Sequence, residues 1–139
     1  DGRDRGSPVS RGSRDGALIG IMKIEGSVPI FPTEDRDKVK ESVTSLFSDA
    51  SIRDQGDVLR FNASDPSILI KSLTDQSIRD TARDMISPRN GEIISRFYLN
   101  KQAALFGKVN FTEGDSTLGD IRVEIKEGVD ELLDAITVV

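Results

Sequence analysis

Hydrophobic and polar positions along this chain follow two rhythms, one of period two and one close to 3.6. In residues 17–31, Met22, Ile24, Val28 and Ile30 share one parity, the signature of a strand with one buried face, and Gly26 interrupts it as a candidate bulge. Pro32-Thr33-Glu34-Asp35 reads as a helix start, with Thr33 as the cap and two acids near the positive end of the helix dipole. Val39, Val43, Leu46 and Phe47 then fall on one helical stripe. Residues 50–54 and 57–63 read as two short strands around a hairpin-like turn at Gln55-Gly56.

Asp65-Pro66 marks the next helix start, a cap followed by proline at the first helical position. Ile68, Leu69 and Leu73 form one stripe, and Ile78, Ala82, Met85 and Ile86 form another. The phase slips near Asp75, which predicts two helical pieces with a kink. Pro88 ends the second piece, and Asn90-Gly91 supplies a turn. Residues 92–99 are the clearest strand, with Ile93, Phe97 and Leu99 on one side and Ile94, Arg96 and Tyr98 on the other. After a connection at 100–104, Leu105, Val109 and Phe111 repeat the inward parity and leave Phe106, Lys108 and Asn110 outward. A polar loop at 112–117, a strand with Ile121, Val123 and Ile125 inward, and a final helix with Val129, Leu132, Leu133 and Ile136 complete the chain. The expected fold class is α+β, two layers, with a mostly antiparallel sheet and helices packed on one face.

Residues 1–16 carry Gly, Ser, Arg and Asp with one Pro and one Val, a composition that builds no core. They read as a flexible tail or a vector-derived remnant, and residues 17–139 as a single domain. The chain has no cysteine and no histidine, which excludes disulfides, thiolate metal sites and the commonest general base. A carboxylate-held metal would need a ligand frame that neither Asp35 with Asp37 nor Glu113 with Asp115 supplies, so no cofactor, no metal and no catalysis are expected. No long apolar run and no secretory leader is visible, which reads as a cytoplasmic protein without a membrane partner. The net charge of −5 argues against non-specific coating of nucleic acid, but leaves room for a local basic patch.

Residues 96–111 hold the single tyrosine, three of the 6 phenylalanines and a group of basic and amide side chains. Flat rings, cations and carboxamides on one sheet surface are what RNA recognition uses. Arg96, Tyr98, Phe106, Lys108 and Asn110, with Ile94, form the outward set. They either hold RNA or pack on a second subunit or a crossing loop, with Arg96 paired to an acid. Asn100, Lys101 and Gln102 either read base edges or a phosphate, or cap a helix or turn, for which Asn100 is well suited. Arg79 and Arg83 sit one helical turn apart and either bridge phosphates or pair locally, as Asp80 with Arg83. Arg122 and Lys126, alternating with Glu124, read as a solvated strand face.

Four segments stand out together: Pro32-Thr33-Glu34-Asp35 with Lys38-Val39, Arg79-Asp80-Thr81-Ala82-Arg83, the block Phe97-Tyr98-Leu99-Asn100-Lys101-Gln102-Ala103-Ala104 with Gly107-Lys108-Val109-Asn110-Phe111, and Leu118-Gly119-Asp120-Ile121-Arg122-Val123. In this order they resemble an archaeal family described as a predicted RNA-binding domain and predicted exosome subunit. The resemblance covers about Ile21 to Ile136 and implies a ribosomal-protein-L-five-like fold and a cytoplasmic role in archaeal RNA processing. The expected function is a non-catalytic RNA-binding accessory protein. The alternative is a protein-interaction or dimerisation module among RNA-processing proteins, without RNA contact of its own.

Overall fold

The computed structural model describes residues 22–89 and 92–137, so the expected tail and the Asn90-Gly91 turn lie outside the described residues. The elements run β1 (Lys23–Pro29), α1 (Arg36–Thr44), β2 (Ser51–Asp54), β3 (Val58–Ala63), α2 (Ser67–Asp75), α3 (Arg79–Ile86), β4 (Ser95–Leu99), α4 (Lys101–Leu105), β5 (Phe111–Thr112), β6 (Ile121–Glu127) and α5 (Val129–Thr137). The strands form one antiparallel sheet in the order β2-β3-β1-β6-β4-β5. The α+β class and the helix-on-sheet layering are as the two periodicities predict.

Alternate positions explain the layering. Ile24, Val28, Leu59, Phe61, Phe97, Leu99, Ile121, Val123 and Ile125 are all buried on the inner face, and the helices supply Val39, Val43, Leu69, Leu73, Ala82, Ile86, Leu132 and Ile136 against them. Phe47 stacks on Phe61 with centroids 5.7 Å apart, and Phe97 meets Phe111 edge-on at 5.8 Å. Helix α1 packs on α4, and α3 on α5, and the described helices share one core with the inner strand face.

Several local expectations shift. Gly26 is not a bulge; the β1–β6 register slips between Lys23 and Ile24 instead. A Cβ on Gly26 would lie 2.2 Å from the Phe61 ring and 2.5 Å from the Arg122 carbonyl, so the position is small because an aromatic ring crosses it. Asp35, not Thr33, caps α1, accepting the Asp37 amide at 3.0 Å. Asp65 accepts the Ser67 amide at 2.9 Å and also its hydroxyl, and these two bonds hold its carboxyl below the usual range although partial burial opposes them. The kink between α2 and α3 turns on Ser77 at φ 58°, where the Ile78 amide reaches back to the Leu73 carbonyl at 3.1 Å. The 100–104 connection is the short helix α4, and only Phe111 and Thr112 of the segment that follows it join the sheet.

Candidate nucleic-acid interface

With the helices behind the inner face, every outward strand side chain stands on a face that none of the described helices covers. Register fixes which of them are neighbours. Arg53 lies opposite Arg60, Arg60 opposite Ser27, Ser27 opposite Arg122, and Arg122 opposite Tyr98. One row across five strands therefore reads Arg53–Arg60–Ser27–Arg122–Tyr98. The adjacent row reads Ser51–Asn62–Glu25–Glu124–Arg96. Strands about 4.8 Å apart put three guanidiniums of the first row along about 14 Å.

The two rows differ in their electrostatics. Glu124 is shared by three cations: Arg96 at 2.8 Å, Arg122 at 2.8 Å and Lys126 at 3.3 Å. Partial desolvation pushes its carboxyl up, but the Arg96 and Lys126 bonds and the Arg122 charge outweigh this and hold it below the usual carboxylate range. Arg96 is also bridged to Glu92 at 3.1 Å, and the two carboxylates, Glu124 foremost, raise its pKa further.

The arginines at the other end of the first row are less neutralised. Arg60 donates to the Gln55 carboxamide at 2.9 Å, and neither it nor Arg53 forms an ion pair among the described residues. The nearest acid in sequence, Asp54, points to the helix side, where Arg36 holds it at 2.7 Å and Lys40 at 3.7 Å. The Gly56 amide, and after it Arg36, keep the Asp54 carboxyl ionised below its ordinary range, against some desolvation. Two like charges directly opposite across a strand pair destabilise a sheet, and this sheet tolerates Arg53 against Arg60. Between these strands and β6 lies a shallow depression of about 90 Å³, lined by Ser27, Arg53, Arg60, Asn62, Arg122 and Glu25 among others.

The residues nominated from sequence divide between the two sides of the sheet. Arg96 and Tyr98 stand on the open face, with Tyr98 half-buried and the Gly114 backbone against its ring. Asn100 is the cap of α4, accepting the Ala103 amide at 2.9 Å. Lys101 is buried, so its ammonium is an interior ion-pair partner instead of an exposed phosphate contact; Gln102 beside it is exposed. Lys108 and Asn110 are exposed, but on a loop tied to α2. Ser72 donates to the Gly107 carbonyl at 2.8 Å, and Gln76 exchanges two bonds with Val109, at 2.8 and 2.9 Å. The expected single surface from Ile94 to Asn110 is therefore split, because 101–110 folds toward the helices instead of continuing the sheet. Arg79 and Arg83 lie on α3 in the helical layer, and Arg83 does not form the expected pair with Asp80.

Arg53, Arg60 and Ser27 escape a sequence reading because the residues of the row are scattered over 95 positions, from Ser27 to Arg122. Among the described residues, no three acidic side chains gather as a metal site, and no helix is long and apolar enough to cross a membrane.

A protein family described as RNA binding matches residues 23–127, a span that contains both rows. A UPF0201 protein of Methanothermobacter thermautotrophicus is 37% identical over 107 residues, covering 75% of this chain and 81% of the relative. A UPF0201 protein of Methanopyrus kandleri is 34% identical over 134 residues, covering 82% of this chain and 83% of the relative. The crystal structure of a UPF0201 protein from Methanococcus jannaschii superimposes with a TM-score of 0.69 at 29% identity, over 84% of this chain and 99% of that one.

Proposed function

This chain belongs to the family described as RNA binding and is a relative of the archaeal UPF0201 proteins, and on that premise we propose that it binds RNA through the helix-free face of its sheet. The observation that carries this is the row Arg53–Arg60–Ser27–Arg122. It concentrates positive charge on one face of an acidic protein, at the cost of opposing two guanidiniums. A phosphate placed between Arg53 and Arg60 removes that repulsion, and guanidinium forks match phosphate oxygens in geometry as well as charge. Arg96 and Tyr98 extend the surface toward β4. Binding of this kind is non-catalytic, since guanidinium and carboxamide groups neither exchange protons near neutral pH nor act as nucleophiles. An accessory role in archaeal RNA processing, beside an exosome-type assembly in the cytoplasm, is part of the same proposal, as is kinship with the ribosomal-protein-L-five-like fold.

The test is fluorescence anisotropy of the full chain against single-stranded and hairpin RNAs at two salt concentrations. Phosphate contacts release counterions, so affinity falls steeply with salt, and replacing Arg53 and Arg122 by Gln reduces the log–log salt slope by about one per contact. Absence of binding at low salt favours the second reading, a protein-interaction or dimerisation module. Phe106, expected outward, is 77% exposed, and Ile93, expected inward, lies ahead of β4 and is 85% exposed, whereas Ile94 is half-buried; Ile93 and Phe106 are the apolar groups such a module would bury.

A further inference from the structure

The second row contains a group that phosphate binding does not use. Glu25 sits between Asn62 and Glu124 in the register, half-buried on the open face. Its neighbour Glu124 is neutralised by three cations, whereas the Glu25 side chain makes no hydrogen bond or ion pair among the described residues. Asn62, opposite it on β3, is exposed, and its carboxamide is equally uncommitted. A carboxylate directly opposite another carboxylate, beside a polyanion track, is a local electrostatic cost twice over. Such conflicts are expected where a sequence serves a ligand rather than the fold.

The geometry of the two rows suggests which ligand. Two residues along each strand separate them, about 6.8 Å. A single strand of RNA lying across the β-strands with its phosphates on the arginine row projects its bases to one side, over Asn62 and Glu25. An ionised carboxylate only accepts hydrogen bonds, through two oxygens side by side. Among the four bases, guanine alone presents two adjacent donors on its Watson–Crick edge, N1–H and the 2-amino group. Its O6 lies next to them and takes a donor, which the Asn62 carboxamide supplies. Uracil sets its one N–H between two carbonyl oxygens that face the carboxylate's charge. Cytosine and adenine offer one amino donor beside a bare ring nitrogen.

We infer that Glu25 and Asn62 form a guanine-reading subsite for single-stranded RNA whose backbone lies on Arg53, Arg60 and Arg122. This specificity rests on the proposed RNA-binding function, and the experiment separates the two. Anisotropy at low salt is measured on the full chain with octauridylate and with the same strand carrying one central guanosine, inosine, adenosine or cytidine. The guanosine strand binds about tenfold more tightly than octauridylate, the scale of one good bidentate base contact. Inosine, which lacks the 2-amino group, falls between them. A complementary duplex, whose Watson–Crick edges are occupied, loses the preference. In Glu25→Gln the discrimination collapses while octauridylate binds as tightly as before or more tightly, because a repelling charge is gone; a misfolded variant would lose both. Salt-dependent binding with equal affinity for all five strands, or a guanosine preference that survives Glu25→Gln, overturns the subsite and leaves RNA binding in place. Absence of binding to every strand overturns the underlying function as well.

Discussion

The ammonium of Lys101 stands 2.9 Å from Glu34 Oε1 and 3.0 Å from Oε2, in a side-chain environment 8% and 13% exposed for the two partners. The same nitrogen donates to the Pro29 carbonyl at 2.7 Å and lies 5.5 Å from the centre of the Phe31 ring. Glu34 Oε1 also accepts the Phe31 amide at 3.0 Å. One pair thus ties α4 to the end of β1 and to the turn before α1. Removing one partner of a buried pair leaves the other charge stranded.

Lys101→Ala is therefore expected to cost about 3 kcal/mol, at the lower end of what breaking a buried pair costs. In thermal denaturation followed by circular dichroism this appears as a large fall in Tm. RNA affinity, measured where both proteins are folded, stays unchanged, because Lys101 is absent from the open face. A fall in affinity without a fall in Tm would return Lys101 to the binding surface. Lys101→Met combined with Glu34→Gln should recover part of the loss, since no unpaired charge remains.

Gly26 offers a sharper packing test. Its missing Cβ would meet Phe61 Cζ at 2.2 Å and the backbone oxygen of Arg122 at 2.5 Å, at the contact of β3, β1 and β6 in the sheet centre. Gly26→Ala is expected to destabilise by about 2 kcal/mol or more, the range of overpacked cores. Trimming the ring in Gly26→Ala with Phe61→Leu relieves the first clash but not the second, so chemical denaturation should show only partial rescue. A neutral Gly26→Ala would mean that the strands have room to separate there.

These cases show what the sequence makes legible. Strand parity is read directly, because a buried sheet face leaves its mark on every second residue, as in Met22, Ile24, Val28 and Ile30. The break between α2 and α3 is legible as a phase slip. Helix α4 is not: Lys101–Leu105 is too short to show a stripe, so 100–104 reads as a connection and Leu105 as the first inward position of the run that follows. The binding face depends on register, which parity alone does not set. A two-residue turn at Gln55-Gly56 would place Arg53 opposite Val58. The actual loop runs from Gln55 to Val58, closed by the Gln55 amide on the Val58 carbonyl at 2.9 Å, and it sets Arg53 opposite Arg60. Charged pairs across β1 and β6 join residues nearly a hundred positions apart and leave no local pattern at all.

Ser77 adopts φ 58°, the left-handed region, to end α2 and aim α3. Serine there carries a steric cost that glycine does not. Ser77→Gly is expected to stabilise the domain by about 0.5 kcal/mol, the gain in the folded state exceeding the extra freedom glycine gives the unfolded chain. Differential scanning calorimetry should show a Tm higher by a few degrees. A lower Tm would mean that the Ser77 side chain contributes more than its backbone strain costs.

Glu124 sets stability against binding on the open face. It holds Arg96, Arg122 and Lys126 together, and its carboxyl is kept below the ordinary range by them. A carboxylate with a depressed folded-state pKa stabilises the fold above its unfolded value, 4.5, and that contribution is lost as pH falls through the folded value. Glu124→Gln should thus be less stable at pH 7 by up to about 1 kcal/mol, as for partly exposed ion pairs. The gap from wild type closes as the pH is lowered below 4.5. The same substitution frees Arg122 and Lys126 and leaves Arg96 to Glu92 alone, so RNA affinity rises at low salt and its salt dependence steepens. Urea denaturation at pH 7 and pH 3.5, with anisotropy on one RNA, measures both effects. If stability and affinity fall together, Glu124 positions the arginines for phosphate instead of competing for them.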